Sequence, residues 1–232
     1  MTDCSKRMMK EINIFRSWFR HPQVDLYIIV SHLLIMITVL GFTFYSVSLL
    51  NQKSDEERYR YRYEGQYQLV GGVAESEKIK SEKGNILYIQ EEAPLTGVGV
   101  SVFADVFLSF QEGFPYPLME GSIPEKLCEA DGNVVVIGRS YKEMFDLELG
   151  DELEIAQDSY RVIGIAGSSS SDYGSNILVL WETNLGTGMK EIIQMNPVHQ
   201  VLLQSNLYST NQIAQEVNQN CLEDEKLEFV SA

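Results

Sequence analysis

Residues Leu26 to Leu50, LYIIVSHLLIMITVLGFTFYSVSLL, run without one charged side chain. As a helix rising about 1.5 Å per residue, the stretch is roughly 37 Å long, enough to cross a hydrocarbon core of about 30 Å with some tilt. Everything else in the chain must then lie on one side or the other of a membrane. A signal-peptide core is about 7–15 residues and ends in small residues suited to cleavage. This run is longer and ends in SVSLLNQK, so it reads as a retained anchor.

Charge divides unevenly about the span. Residues 1–25 carry five basic and three acidic side chains, while thirteen basic and thirty acidic ones lie beyond Leu50, a balance of −17 there. Lys and Arg gather on the cytoplasmic side of membrane spans, which places the N-terminus in the cytoplasm and residues 51–232 outside. An acidic domain of this kind repels phosphate backbones and argues against nucleic acid as a partner. It also argues against a broad basic face for anionic lipid. Cys4 falls on the reducing side. Cys128 and Cys221 fall outside and read as buried thiols, with a disulfide between them left open.

Ahead of the span, Met8, Ile12, Phe15, Trp18 and Phe19 share a helical face, while Lys10 and Arg16 lie elsewhere on the wheel. This predicts an amphipathic interfacial helix over residues 8–19, broken at Pro22. Within the span, His32 is the one ionisable side chain, which makes it a functional candidate by position. Gly41, Ser46 and Ser48 offer a weak small-residue packing face.

Beyond the span, Tyr59, Tyr61, Tyr63, Tyr67 and Leu69 alternate with polar residues, the period of a half-buried strand closed by Gly71-Gly72. A stacking surface for a ligand is the other reading of that tyrosine row. Asn85–Gln90 reads as a short strand. Val98 to Phe110 alternates over thirteen residues, and residues 114–124 form a Pro- and Gly-punctuated connector. Val134–Ile137 is a buried strand. SYKEMF is a short helix capped by Ser140. A turn at Gly150-Asp151 leads to Leu153 and Ile155 on one strand face, and a tight turn at Asp158-Ser159 leads into YRVIGIAG. The loop GSSSSDYGS reads as a flexible connector before the strand ending at Trp181. Then come a helix within 182–195, a strand at VHQVLLQ, a helix capped by Thr210, and a last strand at LEFVSA. Strands mixed with helices place the chain in the α+β class: a transmembrane helix, then a mixed α/β lobe with an inserted β-rich lobe.

No catalytic, cofactor or metal residue emerges. His199 is the sole histidine beyond the span and sits in a predicted strand, a poor place for a general base. Ser168 to Ser171 lack a G-x-S-x-G frame. Ser54 with Lys78, Lys80 or Lys83 does not match a Ser–Lys peptidase. Cys128, His199 and Arg139 or Arg161 lack the flanks of a sortase. EADG at Glu129–Gly132 is too short for calcium, and GRSYKEM is not a phosphate-binding loop.

From Phe114 to Gly174 the residues carry a resemblance. Glu120-Gly121 with Pro124, then Val134–Ile137, then Gly150-Asp151 and Tyr160–Ile165, resemble in order and spacing the extracytoplasmic core domain of FtsX/MacB-type ABC transporter permeases. The tail at 198–232 and the basic helix before the span also fit. The resemblance implies a lobe built from both ends of residues 51–232, with a β-rich lobe of roughly 121–185 inserted. It implies a separate cytoplasmic ABC ATPase as partner, and peptide, antibiotic or lipoprotein as substrate. Hydrolysis of ATP would lie in that partner. Such permeases carry three further spans after this domain, so Leu26–Leu50 is expected to pair with spans of another chain or a second copy. The alternative is a tethered binding or sensing module without transport.

Overall fold

The computed structural model describes residues 22–70, 79–96, 98–123, 132–169, 171–196, 198–220 and 226–229. Two compact units result, Met1–Leu50 and Asn51–Ala232. The expected interfacial helix at 8–19, the three cysteines, Gly71-Gly72 and Pro124 lie outside the described residues.

Helix α1 spans Pro22–Tyr59 and is long and apolar enough to cross a membrane. Pro22 is its first residue rather than a break ahead of it; at that position the missing N–H would have no intrahelical acceptor in any case. The polar groups of the apolar stretch turn back on their own helix. Ser31 Oγ and His32 Nδ1 both donate to the Ile28 carbonyl at 2.8 Å. Thr38 and Thr43 donate to Leu34 and Val39. These four side chains thus find acceptors on their own helix, without a partner helix, as suits a hydrocarbon surrounding.

The second unit is built on one ten-stranded sheet. Its strands are β1 Tyr63–Val70, β2 Asn85–Leu95, β3 Val100–Ser109, β4 Leu118–Gly121, β5 Val134–Gly138, β6 Glu152–Ile155, β7 Asp158–Ala166, β8 Leu178–Trp181, β9 His199–Ser205 and β10 Lys226–Phe229. The spatial order is β10-β1-β9-β2-β3-β8-β5-β7-β4, with β6 pairing β2 and β7. Strands from both ends of residues 51–232 fill one end of the sheet, and the strands from β4 to β8 fill the other. The two sets join where β3 runs parallel to β8. Helices α2 (Arg139–Phe145), α3 (Thr187–Met195) and α4 (Thr210–Asn220) complete the unit. An apolar N-terminal helix followed by a mixed α/β sheet domain is the α+β class the sequence indicates.

The sheet is buried on both faces in its middle, which explains the unbroken VVVI run of β5. Val135 and Ile137 join a core shared with Met189 and Ile193 of α3 and Ile213 and Val217 of α4. Val134 and Val136 face a second core with Phe107, Val179 and Trp181.

Several local expectations shift. Tyr59 ends α1 instead of starting the strand, because the helix carries on through the charged residues 53–58; the alternation holds from Tyr61, with Tyr61, Tyr67 and Leu69 buried. The tight turn sits at Ala156-Gln157, both at positive φ (52° and 71°), not at Asp158-Ser159. That pair of left-handed residues matches the twist of the β6–β7 hairpin. Helix α2 starts after Gly138, and Ser140 lies inside it. The Ser209 N–H and hydroxyl both bond Gln212 Oε1, so Ser209 closes the start of α4 and Thr210 is already helical. Strand β2 runs on past Gln90 to Leu95. It tolerates Pro94 because β9 pairs only as far as Ile89, and where β6 takes over that edge Pro94 supplies only its carbonyl, which accepts from the Ala156 N–H at 2.8 Å.

Candidate functional site

Polar and aromatic side chains cluster around the last turns of α1. The loop from Gly167 to Ser175 is the expected flexible connector, yet it is tied down along its length. Arg139, first residue of α2, donates to Ser168 O at 2.8 Å and to Asp172 Oδ1 at 3.2 Å. The Ser140 N–H bonds Ser175 O, and the Gly138 N–H bonds Ile177 O at 2.7 Å. Ser175 Oγ closes the turn onto Asp172 O.

This loop grips the charged end of α1. Ser171 Oγ donates to Asp55 Oδ2 at 2.6 Å. That bond, a second from Ser168, and the nearby Arg58 hold the Asp55 carboxyl below its usual range despite a small opposing effect of burial. One turn on, the Tyr59 ring stacks against Tyr173 with centroids 6.3 Å apart. Asp55 and Tyr59 are four residues apart and therefore share one face of the helix.

From Tyr173 an aromatic series leads inward. Its ring lies 5.7 Å from Tyr116, which lies 5.6 Å from Phe114, which lies 6.3 Å from Trp181. Burial pushes the Tyr173 phenol up to about 12, and its hydroxyl donates to Pro115 O. Tyr116 donates to Asp105 Oδ2 at 3.2 Å. Burial also lifts Tyr116 well above the usual phenol range. Burial raises Asp105 as well, only partly offset by the Gln90 N–H and the Tyr116 hydroxyl.

Asp105 gives a signed expectation. A carboxyl whose folded pKa is raised favours the fold while protonated, and that contribution is lost as pH rises through the folded value. Asp105→Asn removes the buried charge. The variant is therefore expected to melt higher than the wild-type chain at neutral pH, with the gap closing in acid. Thermal unfolding followed across pH checks this, and a lower neutral melting point in the variant contradicts it.

The other sequence candidates are not brought together. His199 on β9 and Arg139 after β5 are four strand spacings apart, about 19 Å across the sheet. His199 bonds a glutamate, Glu91, instead. Lys80 pairs with Glu182 and Lys83 with Glu216; Lys78 and Cys128 lie outside the described residues. Arg161 lies on β7 opposite Glu152. Among the described residues, no three or more His, Cys, Asp or Glu side chains are placed to hold a metal ion. A cleft of about 1170 Å³ opens beside Phe110, Phe114 and Trp181. Asp55, Tyr173 and the Asp105–Tyr116 pair carry no sequence motif; only the return of a Ser/Asp/Tyr loop toward a charged helix end would have marked them.

Residues 36–219 match the family model of the MacB-like periplasmic core domain. No curated protein matches the chain in sequence. Among solved structures, the periplasmic region of MacB from Actinobacillus actinomycetemcomitans is 13% identical, with a TM-score of 0.42, covering 74% of this chain and 91% of that one. The extracellular domain of the noncanonic ABC-type transporter YknZ from Gram-positive bacteria is 11% identical, TM-score 0.39, covering 70% and 99%. A domain of a putative permease protein from Porphyromonas gingivalis is 12% identical, TM-score 0.40, covering 75% and 92%. With most of its length inside the matched region, the chain belongs to the MacB-like periplasmic core domain family.

Proposed function

We propose that this chain is a permease-type subunit, or a fragment of one, of an FtsX/MacB-like ABC transporter. Its helix α1 passes movement driven by a partner cytoplasmic ATPase to the domain at 51–232. Five basic residues before the span and a balance of −17 after it support a cytoplasmic N-terminus and an extracytoplasmic domain at the plasma or inner membrane. The domain division is read as 1–25, 26–50 and 51–232, with the β-rich part roughly at 121–185. The work done outside is export of a peptide, antibiotic or lipoprotein, or control of an envelope process, with ATP hydrolysis in the partner.

One observation carries this reading. The helix does not end at the apolar boundary; its last residues, Asn51–Tyr59, are held by Ser171 and Tyr173, and Tyr173 starts an aromatic series reaching the sheet. A displacement of α1 along or about its axis therefore acts on packed side chains rather than on a slack linker. A tethered ligand-binding module would instead need its tyrosine row exposed, and Tyr61 and Tyr67 are buried.

The test joins the full chain with a candidate ATPase in lipid nanodiscs. The chain is expected to co-purify with the ATPase and to change its turnover. The Asp55→Ala, Tyr59→Ala double variant should still co-purify yet lose that effect about 5-fold or more, the low end of ordinary coupling between sites. Failure to co-purify, or full coupling in the double variant, overturns the reading. Because the Asp55 carboxyl is held below its usual range, its contribution persists from neutral pH into the ordinary carboxylate range and is lost only below it.

A further inference from the structure

A second polar cluster lies away from the α1 junction, inside the sheet. His199 opens β9 and Glu91 follows an irregularity in β2, where Gln90 takes a positive φ of 59° and the register shifts between Tyr88 and Glu91. In a regular strand, residues three apart point to opposite faces. The bulge cancels that alternation and turns both Tyr88 and Glu91 into the same core. There the Tyr88 ring stacks on His199 at 4.5 Å, and His199 Nδ1 lies 2.7 Å from Glu91 Oε1. The two side chains are 0% and 3% exposed. Asn196, just past α3, donates to Glu91 Oε2 at 3.4 Å. His199 Nε2 is buried and has no partner.

That orphan nitrogen decides the proton count. With Nδ1–H donating to an ionised Glu91, Nε2 is a bare lone pair, a tolerable vacancy. A further proton taken up by the ring forms an imidazolium and puts a hydrogen on Nε2. A buried donor left without an acceptor forfeits its hydrogen bond and its hydration together, and the loss is larger when the group is charged. The packing around it must therefore change to offer an oxygen.

Few other charges reach the pair. On β2 Glu92 is exposed, and on α3 Lys190 and Glu191 are exposed. On β1, Leu69 stands opposite His199, with the Tyr67 phenol next on that face and bonded to Asn211; Glu64 lies at the far end, bonded by Gln204. On β3, Ala104 stands opposite Glu91. The neighbouring titratable groups on this face are thus the phenols of Tyr88 and Tyr67. The weakest bond of the set ties the end of α3, through Asn196, to β2.

We propose that His199 and Glu91 form a pH-responsive joint: protonation of the His199 ring loosens the end of α3 from β2 and the start of β9. This is independent of the coupling described for α1.

The test is hydrogen exchange on the full chain in detergent, between about pH 8 and about pH 5, the range over which an imidazole changes charge. After correction for intrinsic exchange, peptides covering 187–196 and 199–205 should exchange on the order of tenfold faster at the acid end. Peptides covering β5 and β7 should not change. The step should vanish in His199→Gln and in Glu91→Gln. A flat wild-type profile overturns the proposal, as does a step that survives in His199→Gln. Should either variant fail to fold, ¹⁵N imidazole shifts of the wild-type chain decide: Nε2 gaining its proton within that range supports the joint, and Nε2 remaining bare throughout refutes it.

Discussion

Trp181→Ala is expected to cost about 3–5 kcal/mol of stability, the usual range for emptying a buried large aromatic site. Trp181 ends β8 at 4% exposure. Its ring lies 5.9 Å from Phe107, 6.2 Å from Phe110 and 6.3 Å from Phe114. Three aromatic neighbours cannot collapse into the space together without leaving rotamer minima, so most of the cavity persists. Against a domain stability of about 5–15 kcal/mol, the loss approaches the whole margin. Trp181→Phe separates packing from hydrogen bonding. Nε1 is buried with no acceptor, so phenylalanine forfeits no bond and keeps an aromatic ring in the slot. Its cost should stay below about 1.5 kcal/mol. Chemical denaturation of the three chains in detergent measures both. Equal losses in the two variants would mean that the indole N–H is the important group, contrary to the structure.

Gly138→Ala is the second large effect, and it strikes the α1 junction without touching it. Gly138 has an ordinary extended backbone, φ −74°, so conformational freedom is not the issue; space is. A Cβ there would lie 2.1 Å from Ser175 O and 2.8 Å from Ile177 N, both backbone atoms. Since no side chain can swing aside, the loop at 167–175 must shift bodily. Overpacking of this kind costs about 1–3 kcal/mol. Two bonds anchoring the loop, Gly138 N–H to Ile177 O and Ser140 N–H to Ser175 O, stretch with it. The expected result is a lower melting point together with faster amide exchange at Ser171 and Tyr173. Gly113→Ala is the control, because nothing lies within 4 Å of its Cβ position. A loss in Gly113→Ala as large as that in Gly138→Ala would show that glycine entropy, not the close approach, is responsible.

Much of the fold is legible because burial imposes a period. The alternation from Tyr61 to Leu69 survives intact, since one face of β1 is buried and a one-residue slip would reverse it. VVVI at β5 reads as a strand buried on both faces, and it is. Expectations at ends and turns fare less well. Asp158-Ser159 looks like turn chemistry, yet hairpin twist requires the left-handed pair two residues earlier, at Ala156-Gln157. Ser140 and Thr210 look like caps, but α2 begins one residue before Ser140 and α4 begins at Thr210 itself. The continuation of β2 through Pro94 is invisible locally, because whether a proline is tolerated depends on where β9 stops.

The sites were the least legible part. Ser171 and Asp55 are 116 residues apart, and Glu91 and His199 are 108 apart. Neither pair has a motif, since each partner meets its mate only through strand order. The row of tyrosines suggested a stacking surface; Tyr61 and Tyr67 went into the core, and the stacking that exists, Tyr59 on Tyr173, joins a helix end to a loop.

The chain's amino acids alone determined the apolar span, the charge imbalance about it, the α+β class and the family resemblance. All are properties of composition and period, to which each residue contributes locally and additively. The tertiary structure alone decided that α1 continues beyond the apolar boundary into the grip of Ser171 and Tyr173. It alone decided that a bulge turns Glu91 onto His199. Both depend on which distant strands become neighbours, and that is settled by packing the whole sheet at once.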